Sequence, residues 1–194
     1  MDHGLLWIFV NALLINNFTL SMFLGLCPFF GVSSKLETAF RLGIATVFVM
    51  FITSISAWLL NTYVLIYAPY LRLISFIVVI ASTVQFVEMI IKKLSPALFR
   101  ALGIYLPLIT TNCAILGLAI FSTNKGYGLI AGIVYALGAG FGFTLALVLM
   151  SGIREETEEK RMPIIIRGTA MSLIIAGLLS LAFMGFAGLF SAAA

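Results

Sequence analysis

Charged residues are confined to a few short intervals of this chain, and the uncharged stretches between them dictate its fold class. No Asp, Glu, Lys or Arg occurs from His3 to Ser34, from Leu42 to Leu71, from Ala101 to Asn124, from Gly126 to Ile153, or from Gly168 onward. Leu73 to Ile91 carries only Glu88. Each tract is long enough to cross a hydrocarbon core, which takes about 20 helical residues. Strand-like alternation is absent, and a helix satisfies its own backbone groups in lipid. At 62% apolar and 9% charged residues, the chain lies far outside the composition of soluble domains. The tracts therefore predict an all-α membrane protein of six transmembrane helices, forming a single integral membrane domain over residues 1–194.

The loops between tracts are too short to form a soluble domain. No catalytic residue is assigned on this basis, and no independent catalytic activity is expected. The formal charge of +4 and pI near 9.3 are not signals for nucleic acid. They follow from orientation. Lys35 and Arg41 fall between tracts 1 and 2, Lys92, Lys93 and Arg100 between 3 and 4, and Arg154, Lys160, Arg161 and Arg167 between 5 and 6. Of the 11 basic residues, only Arg72 and Lys125 belong to the other side. Basic residues in short loops stay cytoplasmic, whatever the nearby acids, so both termini are predicted on the outer face of a cytoplasmic (inner) membrane. The opening Met-Asp-His has no basic lead, so the first tract reads as a retained helix and not a cleaved signal.

Cys27, in Leu24-Gly-Leu-Cys-Pro-Phe29, and Cys113, in Thr110-Thr-Asn-Cys-Ala-Ile115, are the chain's two cysteines. Each lies in the first tract of its half. Placing one on the other also superposes Gly31 on Gly117, and helix 2 (about 42–60) on helix 5 (about 128–151). Three tracts then three tracts is an odd number per half, so the halves must cross the membrane in opposite senses. This predicts two inverted three-helix repeats, about 1–93 and about 94–194, related by an axis in the membrane plane. Such an axis lets both cysteines reach one small cofactor only near the midplane. Continuous helices would put them too close to the surface, so helices 1 and 4 are expected to break there. Pro28, Gly25 and Gly31 would interrupt the first, and Pro107 with Thr110-Thr-Asn112 the second. Broken helices are tolerated at depth where they line a protein-buried site.

Thiolates are soft ligands that suit iron–sulfur clusters, which usually take four of them. Two thiolates at matched positions suggest half of a metal site. A single cysteine in a membrane helix is more often a packing residue, but the pairing at two expected breaks favours ligation. A disulfide ranks below both, and zinc is a poor match because His3 is the chain's one histidine. Thr111 and Asn112, like Asn16, Asn17 and Thr19, would satisfy freed backbone groups or donate hydrogen bonds to cluster sulfurs. Gly25 and Pro28 flank the first ligand. Glu88 is the one acid within a tract and a candidate for ion handling, although pairing with Lys92 four residues on is the plainer account. The glycine run Gly138-Ala-Gly-Phe-Gly142 is no nucleotide loop. With Gly128 and Gly132 it reads as a small-residue surface for close helix contact. Trp7, Trp58, Tyr63, Tyr67 and Tyr70 gather near predicted outer ends, as interfacial anchors do.

Several segments carry a family likeness: Phe23-Leu-Gly-Leu-Cys-Pro-Phe29, Gly31-Val-Ser-Ser-Lys-Leu-Glu-Thr-Ala39, Leu102-Gly-Ile-Tyr-Leu-Pro-Leu-Ile-Thr-Thr-Asn-Cys-Ala-Ile-Leu-Gly117, Gly152-Ile-Arg-Glu155 and Ala176 to Gly185. Through them the chain resembles the RnfA/NqrE family. It looks most like the RnfA component of the Rnf complex, an ion-translocating ferredoxin:NAD oxidoreductase. It is more distantly similar to the NqrE component of the sodium-translocating NADH:quinone oxidoreductase. Ser34 departs from the family pattern without touching a proposed ligand. The resemblance implies an electron-transfer component of a redox-driven ion pump in a bacterial or archaeal membrane. It implies a homologous six-helix partner of opposite topology, of the RnfE type. Cys27 and Cys113 would then supply half the ligands of a shared [2Fe–2S] cluster. Other Rnf subunits, carrying flavin and iron–sulfur centres, would complete the path. Against this stands a small inverted-repeat secondary transporter, which would be expected to hold more ionisable groups at depth. A structural scaffold would leave the paired cysteines unexplained.

Overall fold

The structure is a computed structural model that describes residues 2–32, 35–63, 69–94, 106–159 and 169–191. Ser34, Tyr67, Arg100, Leu102 to Tyr105, Lys160, Arg161 and Arg167 lie outside the described residues. Among the described residues every regular element is a helix. Helix α1 (Asp2–Val10) runs into a π-turn (Asn11–Ile15), and α2 (Leu26–Val32) follows after a break. Next come α3 (Leu36–Tyr63), a 3₁₀ turn (Pro69–Leu71), and α4 (Arg72–Leu94). The second half holds α5 (Leu106–Thr110), α6 (Cys113–Asn124), α7 (Leu129–Glu159) and α8 (Thr169–Ser191).

Among the described residues three helices are long and apolar enough to cross a membrane unaided, over Leu36–Tyr63, Arg72–Ile90 and Leu129–Thr157. The other three tracts form shorter apolar helices, Gly4–Ile15, Leu108–Asn124 and Ala170–Gly185. Tracts 1 and 4 are interrupted, as expected, but Pro28 is not the cause of the first interruption. Pro28 is the third residue of α2 and Pro107 the second of α5. In a first turn a missing N–H costs no helical bond, so Pro28 begins a helix and does not break one; residues 101–105, just before Pro107, lie outside the described residues. Gly31 likewise lies inside α2.

The centre of the molecule is the pair α3 and α7. Gly43 faces Thr144, Val47 faces Gly140 and Ser54 faces Gly132. Partner numbers fall as α3 numbers rise, so the two helices are antiparallel. A Cβ on Gly43 would come within 2.4 Å of Thr144, and one on Gly140 within 3.1 Å of the Val47 backbone. Missing side chains thus set the close approach, which is how helices associate where lipid competes for apolar surface. On another face of α7, Gly138 and Gly142 admit the backbone carbonyls of Phe9 and Leu13. Most of the predicted small-residue surface therefore works within the chain, while Gly128 faces open space. Leu42, Met50, Phe143, Leu147 and Met150 fill the core. The hydroxyls of Thr46, Thr83, Thr123 and Thr144 donate to the carbonyl one turn back, which satisfies them inside apolar helices. Outward residues such as Ile74, Val78 and Phe86 of α4 are exposed, as a lipid-facing surface would have them.

Candidate metal-ligand site

The first break runs from Asn16 to Gly25, between the π-turn and α2. Unwinding frees backbone groups, and those that are buried each need a partner. Asn17, fully buried, supplies four. Its Nδ2 donates to Gly142 O at 2.7 Å and to Leu13 O at 3.3 Å, and its Oδ1 accepts from Thr19 N at 3.0 Å and Leu20 N at 3.5 Å. Ser180 Oγ of α8 donates to Leu20 O at 2.7 Å. The loop then turns through two left-handed residues, Phe23 at φ 55° and Gly25 at φ 78°, into α2. Cys27 follows in the first turn of α2 with its thiol exposed, and Pro28 behind it is buried.

The second break is shorter. Thr111 and Asn112 separate α5 from α6, and Asn112 is the N-cap. Its Oδ1 accepts from Ala114 N at 2.9 Å, satisfying one of the free donors that open a helix. Cys113 is the first residue of α6, and its thiol is also exposed. Asn112 is 4% exposed, yet its Nδ2 has no partner among the described residues. Beside it lies a cavity of about 340 Å³, walled by Ile77, Ile80 and Ala81 of α4 and by Thr110 to Cys113 with Leu116.

The two breaks meet. Gly25 N donates to Cys113 Sγ at 2.9 Å. A Cβ on Gly25 would lie 2.7 Å from the Phe143 ring, 3.1 Å from Asn112 Oδ1 and 3.3 Å from Ala114 Cβ. Only glycine fits here, for both its space and its backbone angle. Cys27 is two residues further along, a chain length of at most about 7 Å. Both cysteines thus issue from one contact, each in the first turn of a short helix, where backbone dipoles favour negative charge. Among the described residues no three potential metal-ligating side chains converge; the contact presents two thiols.

Of the other residues singled out by sequence, Gly25, Thr111 and Asn112 join Cys113 at this contact. Glu88 does not. It is half-buried on α4, seven residues beyond Ala81, about 10 Å along the helix axis. The sequence marks Gly25 as a helix breaker but does not reveal its N–H as a thiol partner.

Residues 5–190 match the family described as Rnf-Nqr subunit, membrane protein. The chain belongs to the Rnf-Nqr family. As a member it is a multi-pass membrane protein, and its relatives agree over almost their whole length. It is 54% identical over 186 residues to the A-subunit of the ion-translocating oxidoreductase complex of Serratia proteamaculans, covering 95% of this chain and 96% of that one. The protein of the same name from Salmonella arizonae is 55% identical over the same shares of both chains, and that from Proteus mirabilis 54%. The contact between the breaks is therefore a feature of an Rnf-Nqr family member whose similarity to those proteins spans both cysteine-bearing segments.

Proposed function

We propose that this chain is a membrane electron-transfer component of an ion-translocating oxidoreductase of the Rnf type, and that Cys27 and Cys113 hold half of a [2Fe–2S] cluster. A homologous six-helix protein of opposite topology, of the RnfE type, supplies the other two thiolates. The observation that carries the reading is the Gly25 N–H bond to Cys113 Sγ. It brings two helix breaks from distant parts of the chain together and leaves both thiols exposed. Packing cysteines would be buried instead. The relatives' shared name supports the RnfA-type assignment over an NqrE-like component of the quinone reductase. It also fits a translocase subunit with no independent catalytic activity.

The residues suit such a group. An iron–sulfur cluster ligated by four thiolates is anionic and is tuned by hydrogen bonds to its sulfurs. Two helix N-termini favour that charge. Gly25 N–H already faces one ligand sulfur, and the unpartnered amide of Asn112 is a second donor. Thr111 lines the cavity beside Cys113, and Pro28 stiffens the turn behind Cys27. When bound, the cluster supplies one-electron transfer. The chain's own part is to orient two thiolates, offer donors to them and exclude water with apolar walls. Flavin and iron–sulfur proteins on either side of the membrane would deliver and receive the electrons. Glu88, away from this contact, is the candidate for ion handling.

The inverted repeat draws support from the α3–α7 pair. The shift that sets Cys27 on Cys113 sets Met50 on Ala136, and these two fall between the facing pairs Val47–Gly140 and Ser54–Gly132. An in-plane two-fold axis would pass there and make the helices antiparallel. Loop charge supports both termini on the outer face of a cytoplasmic membrane.

Purification separates this reading from its rivals. The isolated chain should lack a stable cluster, since two thiolates are half the usual set. Co-purified with its homologous partner, it should carry iron and a [2Fe–2S] electron paramagnetic resonance signal. An iron-free complex with full electron transfer would overturn the proposal.

A further inference from the structure

Two arginines that take no part in the thiol contact reach the far ends of the two cysteine helices, and each comes from the other half of the chain. Arg154, toward the end of α7, donates from Nη1 to Phe30 O at 3.1 Å. Phe30 lies three residues past Cys27, in the last turn of α2. Arg72, the first residue of α4, donates from Nη2 to Asn124 Oδ1 at 2.6 Å and to Ile120 O at 3.5 Å. Both acceptors belong to the end of α6, which Cys113 opens. The two sites lie at opposite ends of α7: Glu155 shares a groove with Lys35 and Glu37 at the start of α3, whereas Asn124 lies just before Leu129.

Charge counting explains these residues as topology signals, but topology needs no specific partner. The last carbonyls of a helix lack intrahelical donors and carry the negative end of its dipole. Phe30 O, in the last turn of α2, is such a carbonyl, and the Arg154 guanidinium is well matched to it; Arg72 instead bonds the Asn124 side chain and, more weakly, Ile120 O one turn in from the end of α6. Arg72 Nε is buried and has no partner among the described residues, while its Nη2 bond to Asn124 is exposed. Short helices held at one end by a loop would otherwise slide or fray, carrying their cysteines with them.

We infer that Arg72 and Arg154 are positioning residues, crossed between the halves, that fix how far the Cys113 and Cys27 helices project at the breaks. Arg154 holds the helix of Cys27, and Arg72 holds that of Cys113. The consequence for electron transfer rests on the cluster reading above, but the positioning itself does not.

The test uses the full chain in lipid nanodiscs and measures maleimide alkylation of each cysteine separately by peptide mass spectrometry. Arg154→Gln should raise the rate at Cys27 on the order of 3- to 10-fold, as expected when hydrogen bonding that restrains local opening is lost. Cys113 should stay within about two-fold, the range expected at a site not coupled to the change. Arg72→Gln should do the reverse. Arg→Lys at either position keeps a cationic donor and should restore most of the protection. Asn124→Ala, which removes only the shorter Arg72 bond, should mimic Arg72→Gln at Cys113 should that variant fail to accumulate. Equal increases at both cysteines, or no change at either, would overturn the inference. In the co-purified complex, the Gln variants should also shift the midpoint potential to lower values and the Lys variants should not. A wild-type complex without any cluster signal would sink the cluster reading while the alkylation pattern still decides the role of the arginines.

Discussion

The two breaks bring their cysteines to one place by different means. The first, Asn16 to Gly25, is long and is tied into the fold from outside: Asn17 bonds Gly142 of α7, and Ser180 of α8 bonds Leu20. It also closes on itself through Asn16 N to Asn11 O, Ser21 N to Asn17 O and Leu24 N to Phe18 O. The second break needs only two residues. Asn112 N reaches Ile109 O, Ile115 N reaches Asn112 O, and the Asn112 side chain caps α6. One thiol thus depends on distant partners for its position, and the other on a local cap. Two breaks can reach one outcome, helix starts that meet, through different local chemistry.

The largest effect should come from the thiols, which ought to contribute equally despite their unequal surroundings. Cys27→Ala and Cys113→Ala should each abolish the cluster signal and electron transfer in the co-purified complex, because one missing thiolate opens the iron to an unsuitable ligand. Membrane insertion should be unchanged, since hydropathy and loop charge are untouched. If the Cys113→Ala complex keeps an unchanged spectrum, the two breaks do not form one site.

Gly25→Ala strikes where the breaks touch. A left-handed angle costs a non-glycine residue about 1 kcal/mol, and forcing a methyl 2.7 Å from the Phe143 ring adds about 1–3 kcal/mol of overpacking. Thermal unfolding in detergent should register both. Gly126 provides the control: it has φ 64° but nothing near its Cβ, so Gly126→Ala should lose only the backbone share of about 1 kcal/mol. Equal losses at the two glycines would show that the Gly25 contact with Asn112 and Phe143 is unimportant.

Asn17→Ala tests the dependence of the first break on α7. Several backbone groups would lose their partner in a site without water, which costs about 1–3 kcal/mol. The readout is a lower unfolding temperature together with faster amide exchange across residues 16–25. Exchange across α6 should not change, because the second break does not use Asn17. A matching rise there would mean that the breaks stand or fall together.

The contrast also explains what was legible in the sequence. Six apolar tracts, helical class and interrupted first and fourth tracts follow from hydropathy and the cysteine positions, which are local signals. The Thr-Thr-Asn-Cys break was readable because asparagine before a helix is a local cap. The extent of the first break was not. Its nearby punctuation, Pro28 and Gly31, ended up inside α2, while the unwound stretch Asn17 to Met22 contains neither proline nor glycine. What holds that stretch open is a bond to Gly142, a partner 125 residues away. Arg72 and Arg154 were hidden for a similar reason. As loop charges they only reported sidedness, and their carbonyl partners exist only once the two halves are packed.

A finer effect bears on the break that is built locally. Asn112 has two separable roles: its oxygen caps α6, and its amide nitrogen is buried without a partner beside Cys113. Asn112→Ala removes both and should cost about 1 kcal/mol of stability, the usual loss for an N-cap. Asn112→Ser keeps a capping oxygen without adding charge, so its stability should stay within about 0.5 kcal/mol of the parent. The two variants part ways on stability but should agree on the cluster. Each removes the amide donor, and losing a hydrogen bond to cluster sulfur destabilises the reduced, more negative form. The midpoint potential should therefore fall by a similar amount in both. A normal potential in Asn112→Ser would confine Asn112 to capping, and the second break would then do no more than start a helix.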